Sequence, residues 1–143
     1  MAIKNKGYKF KIELTEDQRQ KVHQTFGCSR LVYNLLLNER KKIYDLYKDD
    51  ETKNQKLTKH KYSTPAAFKK EYTFLKEVDS LALANAQMDL KNAYNHFFKK
   101  HNRLPRFKSR KNPKQSYTTN NIVSKSGIHS IRISECGKYI KLP

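Results

Sequence analysis

A short alternating stretch near the N-terminus is the feature that most limits how this chain can fold. Tyr8, Phe10, Ile12 and Leu14 alternate with charged residues, which is the pattern of a β-strand with one apolar and one charged face. A lone strand cannot bury its apolar face or pair its edge groups. Because the next β-rich runs come after position 116, we expect the first strand to pair with strands from the opposite end of the sequence.

The residues that follow predict a long helical region. Thr15 opens the sequence TEDQ, in which its hydroxyl and the Gln18 side chain are placed for a capping box, so we expect a helix to start at Thr15. An apolar face then continues to about Lys48. Gly27 lies inside this region and is either a turn or a point of close packing. The polar run 48–56 has no periodicity and predicts a loop.

Two further helices are predicted before residue 100. Thr64 is placed to cap a short helix with Pro65 in its first position, where a missing amide hydrogen costs nothing. A long helix is expected from about residue 80 to residue 98, with Asp79 or Ser80 as its cap. The side chains expected in the core of the helical region are Leu31, Leu35, Leu83, Leu90, Phe97 and Phe98.

The last part of the sequence has β character. Residues 117–123, 128–133 and 139–142 form short β-rich runs, and SECG at 134–137 predicts a hairpin turn. The order of strand, helices and strands predicts an α+β fold. In this fold the first strand and the C-terminal strands form a small β-barrel or sheet, and the helices form an inserted bundle.

The charge of the chain indicates its class of partner. The sequence has 31 Lys and Arg against 13 Asp and Glu, and its formal net charge is +18. No acidic residue lies between Asp89 and Glu135, whereas eleven Lys and Arg fall in that interval. Such an excess attracts phosphate backbones, so nucleic acid is the first candidate partner and an anionic membrane surface the second. Seven Phe and nine Tyr favour a folded domain over a disordered tail.

The sequence offers no signal for secretion, membrane insertion or catalysis. No window approaches a signal peptide core or a transmembrane helix, so we expect a soluble cytoplasmic protein. Cys28 and Cys136 lie far apart without a CxxC or Cys/His cluster and are expected to be free thiols. The five histidines show no paired spacing for a metal. We therefore predict a chain with no catalytic residue, metal or cofactor.

The acid-free interval contains the candidate phosphate contacts. Residues 104–121, LPRFKSRKNPKQSYTTNN, carry cations dense enough for several to reach neighbouring phosphates, and a solvated charged loop is the alternative. Alternation around Phe107 would turn Arg106 and Lys108 to one side while the ring anchors in the core. The cations predicted to contact phosphates are Lys99, Lys100, Arg103, Arg106, Lys108, Arg110, Lys111 and Lys114.

Five stretches in the same order resemble TnpB-type proteins of insertion sequences, which are also described as OrfB transposases with an N-terminal helix-turn-helix. The stretches are GCSRLVYN (27–34), FLKEVDS (74–80), FF (97–98), PRFKSRK (105–111) and SYTTNN (116–121). The resemblance implies part of an RNA-guided DNA endonuclease related to the type V CRISPR effectors. It further implies partners of two kinds, a guide RNA scaffold and a short motif in duplex DNA beside the target.

The resemblance also implies how the chain is divided. Residues 1–14 and 104–143 would form the wedge, a barrel of strands, and residues 15–103 would form the inserted helical recognition part. In the family, a RuvC-type nuclease domain with divalent metal and a zinc element follows a KLP-like strand. Since this sequence stops at Pro143 before those parts, we expect a chain that is not catalytic by itself and that partners with the missing nuclease domain.

In the family, the start of the long helix presents side chains to the DNA motif. This implies that Ser80 and Asn85 contact DNA here, and Asn85 has the chemistry to pair with adenine. The alternative is an ordinary surface helix. Thr119 and Asn120 belong to a stretch that lies near the motif in the family, and polar turn residues are their alternative.

Tyr117 and Arg30 each have both a binding and a structural interpretation, whereas Asn34 is interpreted as structural. Tyr117 would either stack on a base or bury its ring. Arg30 would either contact nucleic acid or tie its helix to the wedge. Asn34, one helical turn after Arg30, is expected to satisfy buried backbone groups.

Two other functions remain open at this point. The chain would be part of an active metal-dependent nuclease if residues or a second chain absent here supplied the carboxylates. Alternatively, helices 15–26 and 28–48 would form a helix-turn-helix that binds duplex DNA without RNA. Against this, the apolar residues of the second helix suit a core better than a DNA groove.

Overall fold

The computed structural model describes the backbone of residues 10–112, 114–124, 127–136 and 139–142 and confirms an α+β fold. A short 3-10 helix spans Thr73–Glu77. The α-helices and strands in chain order are β1 (Phe10–Ile12), α1 (Glu16–Tyr47), α2 (Lys53–Lys59), α3 (Pro65–Phe68), α4 (Ser80–Phe98), β2 (Lys114–Ser124), β3 (Gly127–Cys136) and β4 (Tyr139–Leu142). Tyr8, the first member of the alternating stretch, lies outside the described residues.

The capping box predicted at Thr15 is confirmed. The Gln18 amide nitrogen donates to Thr15 Oγ1 at 3.3 Å, and the Thr15 amide nitrogen donates to Gln18 Oε1 at 3.0 Å. Glu16 and Asp17 occupy the first turn, where the positive end of the helix dipole stabilises them. The chain is therefore fixed at the point where the first strand gives way to α1.

Both interpretations of Gly27 are wrong, because α1 continues through it as one helix of 32 residues. A Cβ at this position would meet only Arg30 Nη2 among the described atoms, at 3.7 Å, which is an ordinary contact. A glycine inside a helix costs about 1 kcal/mol relative to alanine. The apolar stripe stays in phase on both sides of Gly27, and its packing offsets that cost.

The segment 48–56, predicted as a loop, is only partly irregular, because α2 begins at Lys53. Asp50 organises the turn before it. Its carboxylate accepts hydrogen bonds from Thr52 N at 2.8 Å and Thr52 Oγ1 at 2.7 Å and pairs with the Lys56 ammonium. These contacts are polar, so hydrophobic periodicity could not reveal this helix.

The other two predicted helices are confirmed. Pro65 occupies the first turn of α3, although the Thr64 hydroxyl makes no capping hydrogen bond. At α4, Asp79 rather than Ser80 is the cap, since Asp79 Oδ1 accepts from the Leu81 amide nitrogen at 3.0 Å.

The strands form an antiparallel sheet with the order β1-β4-β3-β2. Phe10 lies opposite Leu142 and Ile12 opposite Ile140, which confirms that the first strand pairs with the end of the chain. Within the described strands β1 and β2 are the two edges, and closure into a barrel stays a prediction. Residues 134–136, predicted as part of a turn, belong to β3, and Gly137 lies outside the described residues.

Two groups of apolar side chains hold the fold together. The helical core joins α1, α3, the 3-10 helix and α4, and its buried members are Cys28, Val32, Tyr33, Leu36, Leu37, Leu75, Val78, Leu83, Ala86 and Leu90. The described members of the sheet core are buried Val22 and Phe26 with half-buried Ile12, Leu14, Tyr117 and Ile133.

The predicted core residues are buried to different degrees. Leu83 and Leu90 are buried, and Leu31, Leu35 and Phe97 are half-buried. Phe98 was predicted in the core, but it is 69% exposed. It is the last residue of α4, so it lies beyond the stretch of that helix that packs against α1.

Candidate nucleic-acid interface

Residues 99–114, here called the basic segment, connect α4 to the start of β2. All eight of its predicted phosphate contacts are exposed. Pro105, in contrast, is buried and anchors the segment to the rest of the fold. The arrangement presents a run of cations to solvent on a backbone that the helices hold in place.

Asn34 fixes the middle of the basic segment to α1. Its Nδ2 donates to the Lys108 carbonyl oxygen at 2.9 Å, and the Lys108 amide nitrogen donates to Asn34 Oδ1 at 2.8 Å. One side-chain amide thus satisfies both groups of a single residue, which agrees with the structural interpretation of Asn34.

The predicted alternation around Phe107 is wrong. The Phe107 ring is 49% exposed instead of anchored in the core, and the Lys41 ammonium lies 4.4 Å from its centre. The Lys108 ammonium lies 4.4 Å from the centre of the Tyr33 ring. Desolvation lowers the pKa of Lys108, while the nearby charge of Asp89 acts in the opposite direction. Pairing with an aromatic face, rather than strand alternation, orients these side chains.

Arg30 ties α1 to the start of β2, the second of the two interpretations given for it. Its Nη1 donates to Gln115 Oε1 at 3.1 Å. Gln115 Nε2 in turn donates to the carbonyl oxygens of Ser109 at 3.1 Å and Asn112 at 2.8 Å. A guanidinium has five N–H donors, so Arg30 keeps others for a ligand.

The start of α4 gathers several of the predicted DNA contacts. Thr119 Oγ1 donates to Asp79 Oδ2, which joins β2 to the cap of this helix. Ser80 Oγ accepts from Lys69 Nζ at 2.7 Å, and Asn85 Nδ2 donates to the Leu81 carbonyl oxygen at 2.8 Å. These side chains already have partners inside the protein, and reading a base would require exchange of those hydrogen bonds.

Tyr117 and Asn120 are two further predicted contacts in β2. Tyr117 packs edge-on against Phe26, with ring centres 5.5 Å apart, so its ring belongs to the sheet core. Burial raises the pKa of Tyr117, and the charge of Asp79 adds to this. The side chain of Asn120 lies outside the described residues.

A cleft of about 120 Å³ opens where α1, α4, the basic segment and β2 meet. It brings together four predicted contacts, Arg30, Lys108, Lys114 and Tyr117. The polar lining residues that sequence reasoning missed are Ser29, Asp89, Ser109, Asn112, Gln115 and Ser116. Two of them had a signal in the sequence, since Ser29 directly precedes Arg30 and Asp89 is the last acidic residue before the acid-free interval. Thr118, which also lines the cleft, lies in the stretch of short polar residues expected to face a base or a sugar.

A second, wider cleft of about 640 Å³ lies between α1, α2 and the end of α4. Tyr44, Phe97, Phe98 and Leu104 line it. Inside it the Arg40 guanidinium carbon lies 4.7 Å from the ring centres of both Tyr62 and Tyr94. This cleft has an aromatic and aliphatic lining, in contrast to the polar lining of the first.

The described part of the chain contains no group of three or more His, Cys, Asp or Glu that could hold a metal ion. Cys28 is a free thiol in the helical core, and burial raises its pKa. None of the described helices combines the length and the apolar character needed to cross a membrane.

Comparison with known proteins identifies a matching family model and a similar endonuclease. Residues 1–49 match the family model of the helix-turn-helix domain of IS605-type OrfB proteins. Over 128 residues the chain is 34% identical to a candidate RNA-guided DNA endonuclease of Streptomyces pristinaespiralis. This alignment covers 85% of the chain and 30% of the relative. The two matches confirm the resemblance to the N-terminal region of TnpB-type proteins.

The family model is named for a helix-turn-helix, but this chain does not have that geometry at residues 16–47. A helix-turn-helix needs a turn between two short helices. Residues 16–47 form one continuous helix, so the hypothesis of separate helices 15–26 and 28–48 is wrong for this chain.

Proposed function

We propose that this chain is the nucleic-acid-binding portion of a TnpB-like RNA-guided DNA endonuclease and binds both guide RNA and duplex DNA beside the target. The observation that carries the proposal is the basic segment, whose eight cations are exposed while Asn34 and buried Pro105 fix its backbone. Cations on a fixed backbone can neutralise successive phosphates and release counterions. The similarity to an RNA-guided endonuclease relative supports the same function.

The proposal assigns different roles to the two parts of the chain. Residues 1–14 and 104–143 form the wedge, whose strands close into a barrel in the complete protein, and residues 15–103 form the inserted recognition part. The pairing of β1 with β4 supports this division, because it brings the two ends of the chain into one sheet. RNA is held mainly by the basic segment.

The DNA motif is read at the start of α4. Ser80, Asn85, Thr119 and Asn120 supply the polar groups, and Tyr117 supports them from the sheet core. The Thr119 hydrogen bond to Asp79 supports this assignment, because it fixes β2 beside the first turn of the helix. Base edges would replace the present internal partners of Ser80 and Asn85.

The chain acts by binding and not by catalysis, and it needs no cofactor of its own. The carboxylates that hold divalent metal, and the zinc element, are supplied by a nuclease domain with which it partners in the cytoplasm. Magnesium-dependent cleavage of DNA by the 143-residue chain alone would contradict this part of the proposal and favour an active nuclease.

The test is a filter-binding titration of the purified chain at two salt concentrations. The probes are the RNA transcribed beside its own gene and an unrelated DNA duplex. We expect tighter binding to the RNA and a steep loss of affinity with salt. Affinity that barely changes with salt would overturn the proposal, and sequence-specific duplex binding without RNA would favour an RNA-independent DNA-binding protein.

A pair of variants tests the basic segment itself. Replacing Arg103 and Arg110 with Ala should lower affinity and reduce the slope of log affinity against log salt by up to about 2, since each phosphate contact contributes roughly 0.9. Lys59 and Lys70 are exposed cations outside the segment, so their double replacement with Ala is the matched control. An equal effect of the two pairs would mean that overall charge, not the segment, determines binding.

A further inference from the structure

The polar cleft contains a buried hydroxyl that the fold does not use. Ser29 is 6% exposed, it lines the cleft, and its Oγ has no hydrogen-bond partner in the described part of the chain. Thr25, one turn earlier on α1, donates its own hydroxyl to the Lys21 carbonyl oxygen at 2.8 Å. Because an unsatisfied buried polar group is costly, its persistence at a cleft suggests a ligand.

The charges around Ser29 indicate the sign of that ligand. Three cations line the cleft, Arg30, Lys108 and Lys114, against one carboxylate, Asp89. The charge of Asp89 acts on Lys108 against the desolvation that lowers the pKa of Lys108. Arg30 and Lys114 remain to attract an anion.

Two of the neutral polar side chains of the cleft, Gln115 and Asn112, are hydrogen-bonded within the protein itself. Gln115 Nε2 donates to two carbonyl oxygens, and Asn112 Oδ1 accepts from the Lys114 amide nitrogen at 3.0 Å. Arg30 donates one N–H to Gln115, and its guanidinium has further N–H donors. Ser29 is the buried donor without a partner among the described residues, and the N–H groups of Arg30 and Lys114 add positive charge. The hydroxyls of Ser109, Ser116 and Thr118 and the Asn112 amide also line the cleft.

We propose that this cleft binds a phosphate group, with the Ser29 hydroxyl as its buried donor and Arg30 and Lys114 as its cationic partners. The cleft of about 120 Å³ has room for about four water molecules, at roughly 30 Å³ each. A phosphate fits that space, and any sugar or base attached to it lies outside. The inference rests on the proposed function when the source is a phosphodiester of bound RNA or DNA, and free phosphate is the other source.

The first test is Ser29→Ala in the full chain, with Ser63→Ala as the matched control on another part of the surface. Ser63 is half-buried, and its hydroxyl is bonded to Glu39 rather than directed into the cleft. For Ser29→Ala we expect a roughly tenfold loss of oligonucleotide affinity, typical of a lost hydrogen bond to a charged group. Its melting temperature should not fall, because the hydroxyl has no partner among the described residues. Its salt slope should equal that of the unaltered chain, because a hydroxyl releases no counterion.

A merely structural serine would give a different result. It would leave affinity at the level of the unaltered chain while the melting temperature stays constant or rises, and this outcome would overturn the inference. If affinity falls in the double variant of Arg103 and Arg110 but not in Ser29→Ala, the phosphate site in the cleft is refuted and the proposed function stands. If the unaltered chain binds no nucleic acid, the proposed function fails instead.

Asp89→Asn gives an independent test with the opposite sign. Removing the only carboxylate among the lining residues should raise phosphate affinity several-fold and steepen the salt dependence. A decrease in affinity would contradict an anion site.

The two sources of phosphate are separated by thermal melting in inorganic phosphate and in chloride at equal ionic strength. A higher melting temperature in phosphate that disappears in Ser29→Ala identifies a site for free phosphate. Stabilisation by an oligonucleotide alone, again lost in Ser29→Ala, identifies a backbone phosphodiester. No difference between Ser29→Ala and the unaltered chain under either condition would overturn the inference.

Discussion

The helical core and the sheet core of this protein are built very differently. Among the side chains that the structure describes, the helical core has ten buried members, from α1, the 3-10 helix with the residue after it, and α4, whereas the sheet core has two, Val22 and Phe26. Hydrophobic stabilisation grows with the apolar area removed from water, so most of the stabilisation by these described side chains lies between α1 and α4. The sheet is attached to this helical framework through the first half of α1 and through α4, which packs against β2.

The two regions also differ in where they place the candidate ligand contacts. The basic segment and β2 carry most of the predicted contacts, and they lie outside the helical core. Polar contacts to α1 and α4, made by Arg30, Asn34 and Asp79, hold them there. We infer that the helical core supplies stability, and that bound nucleic acid adds stability to the sheet side by mass action.

The largest expected effect comes from breaking the helical core. Leu83 is fully buried, and Leu83→Ala should lower the free energy of unfolding by about 2–5 kcal/mol, as measured by urea denaturation. Leu81, two residues earlier on α4, is 39% exposed and serves as control. Comparable losses for the two variants would contradict the placement of the core between α1 and α4.

A smaller effect is expected from the sheet core. Phe26→Leu removes the edge-on contact with Tyr117 and should cost about 1 kcal/mol. Hydrogen exchange should accelerate in β2 while the amides in the middle of α4 keep their protection. Phe74→Leu, which alters an exposed aromatic pair with Tyr72, is the control. Equal acceleration in both regions would mean that the two cores unfold as one unit.

The same contrast explains which parts of the fold could be predicted from the sequence. The capping box at Thr15 and the pairing of the first strand with the last follow from local hydrogen-bonding chemistry and from the need to cover an edge. Periodicity located α4 because a repeated apolar stripe records burial. It failed at α2, where Asp50, Thr52 and Lys56 form the turn through polar contacts.

The candidate site was less predictable because it depends on tertiary neighbours. The exposure of the basic segment could be inferred from its composition, but Phe107 and Phe98 were expected in the core. Aromatic residues next to cations have a second option, which is to stack with a charged side chain at the surface. The unpartnered state of Ser29 could not be predicted, since it depends on elements that meet only in the folded chain.

The attachment between the two regions can be tested at Asn34. Asn34→Ala removes both hydrogen bonds to Lys108 and should cost about 1–2 kcal/mol. It should also weaken nucleic-acid binding, because the basic segment would then lose order that binding must restore. Asn38, one turn later on α1 and exposed, is the control. Weaker stability with unchanged binding would mean that the segment does not need its anchor.

The smallest effect is expected at the turn before α2, which belongs to neither core. Hydrogen bonds from Lys56 and Thr52 lower the pKa of Asp50 from its ordinary value of 3.8 to about 2. Because the folded-state pKa is the lower one, the stabilisation is present above about pH 3.8 and is lost as the pH falls through about 2.

The protection of α2 amides, measured relative to their intrinsic exchange rate at each pH, should therefore fall over that window in the unaltered chain, while Asp50→Asn should show reduced protection already at neutral pH. Glu51→Gln, one residue later and exposed, is the matched control. The helical core should not respond to either substitution, because the hydrogen-bond partners of Asp50 are local, within six residues of it. A response of Leu83 and its neighbours would show that α2 is coupled to the helical core, and the division of the molecule into two cores with a peripheral helix would then be wrong.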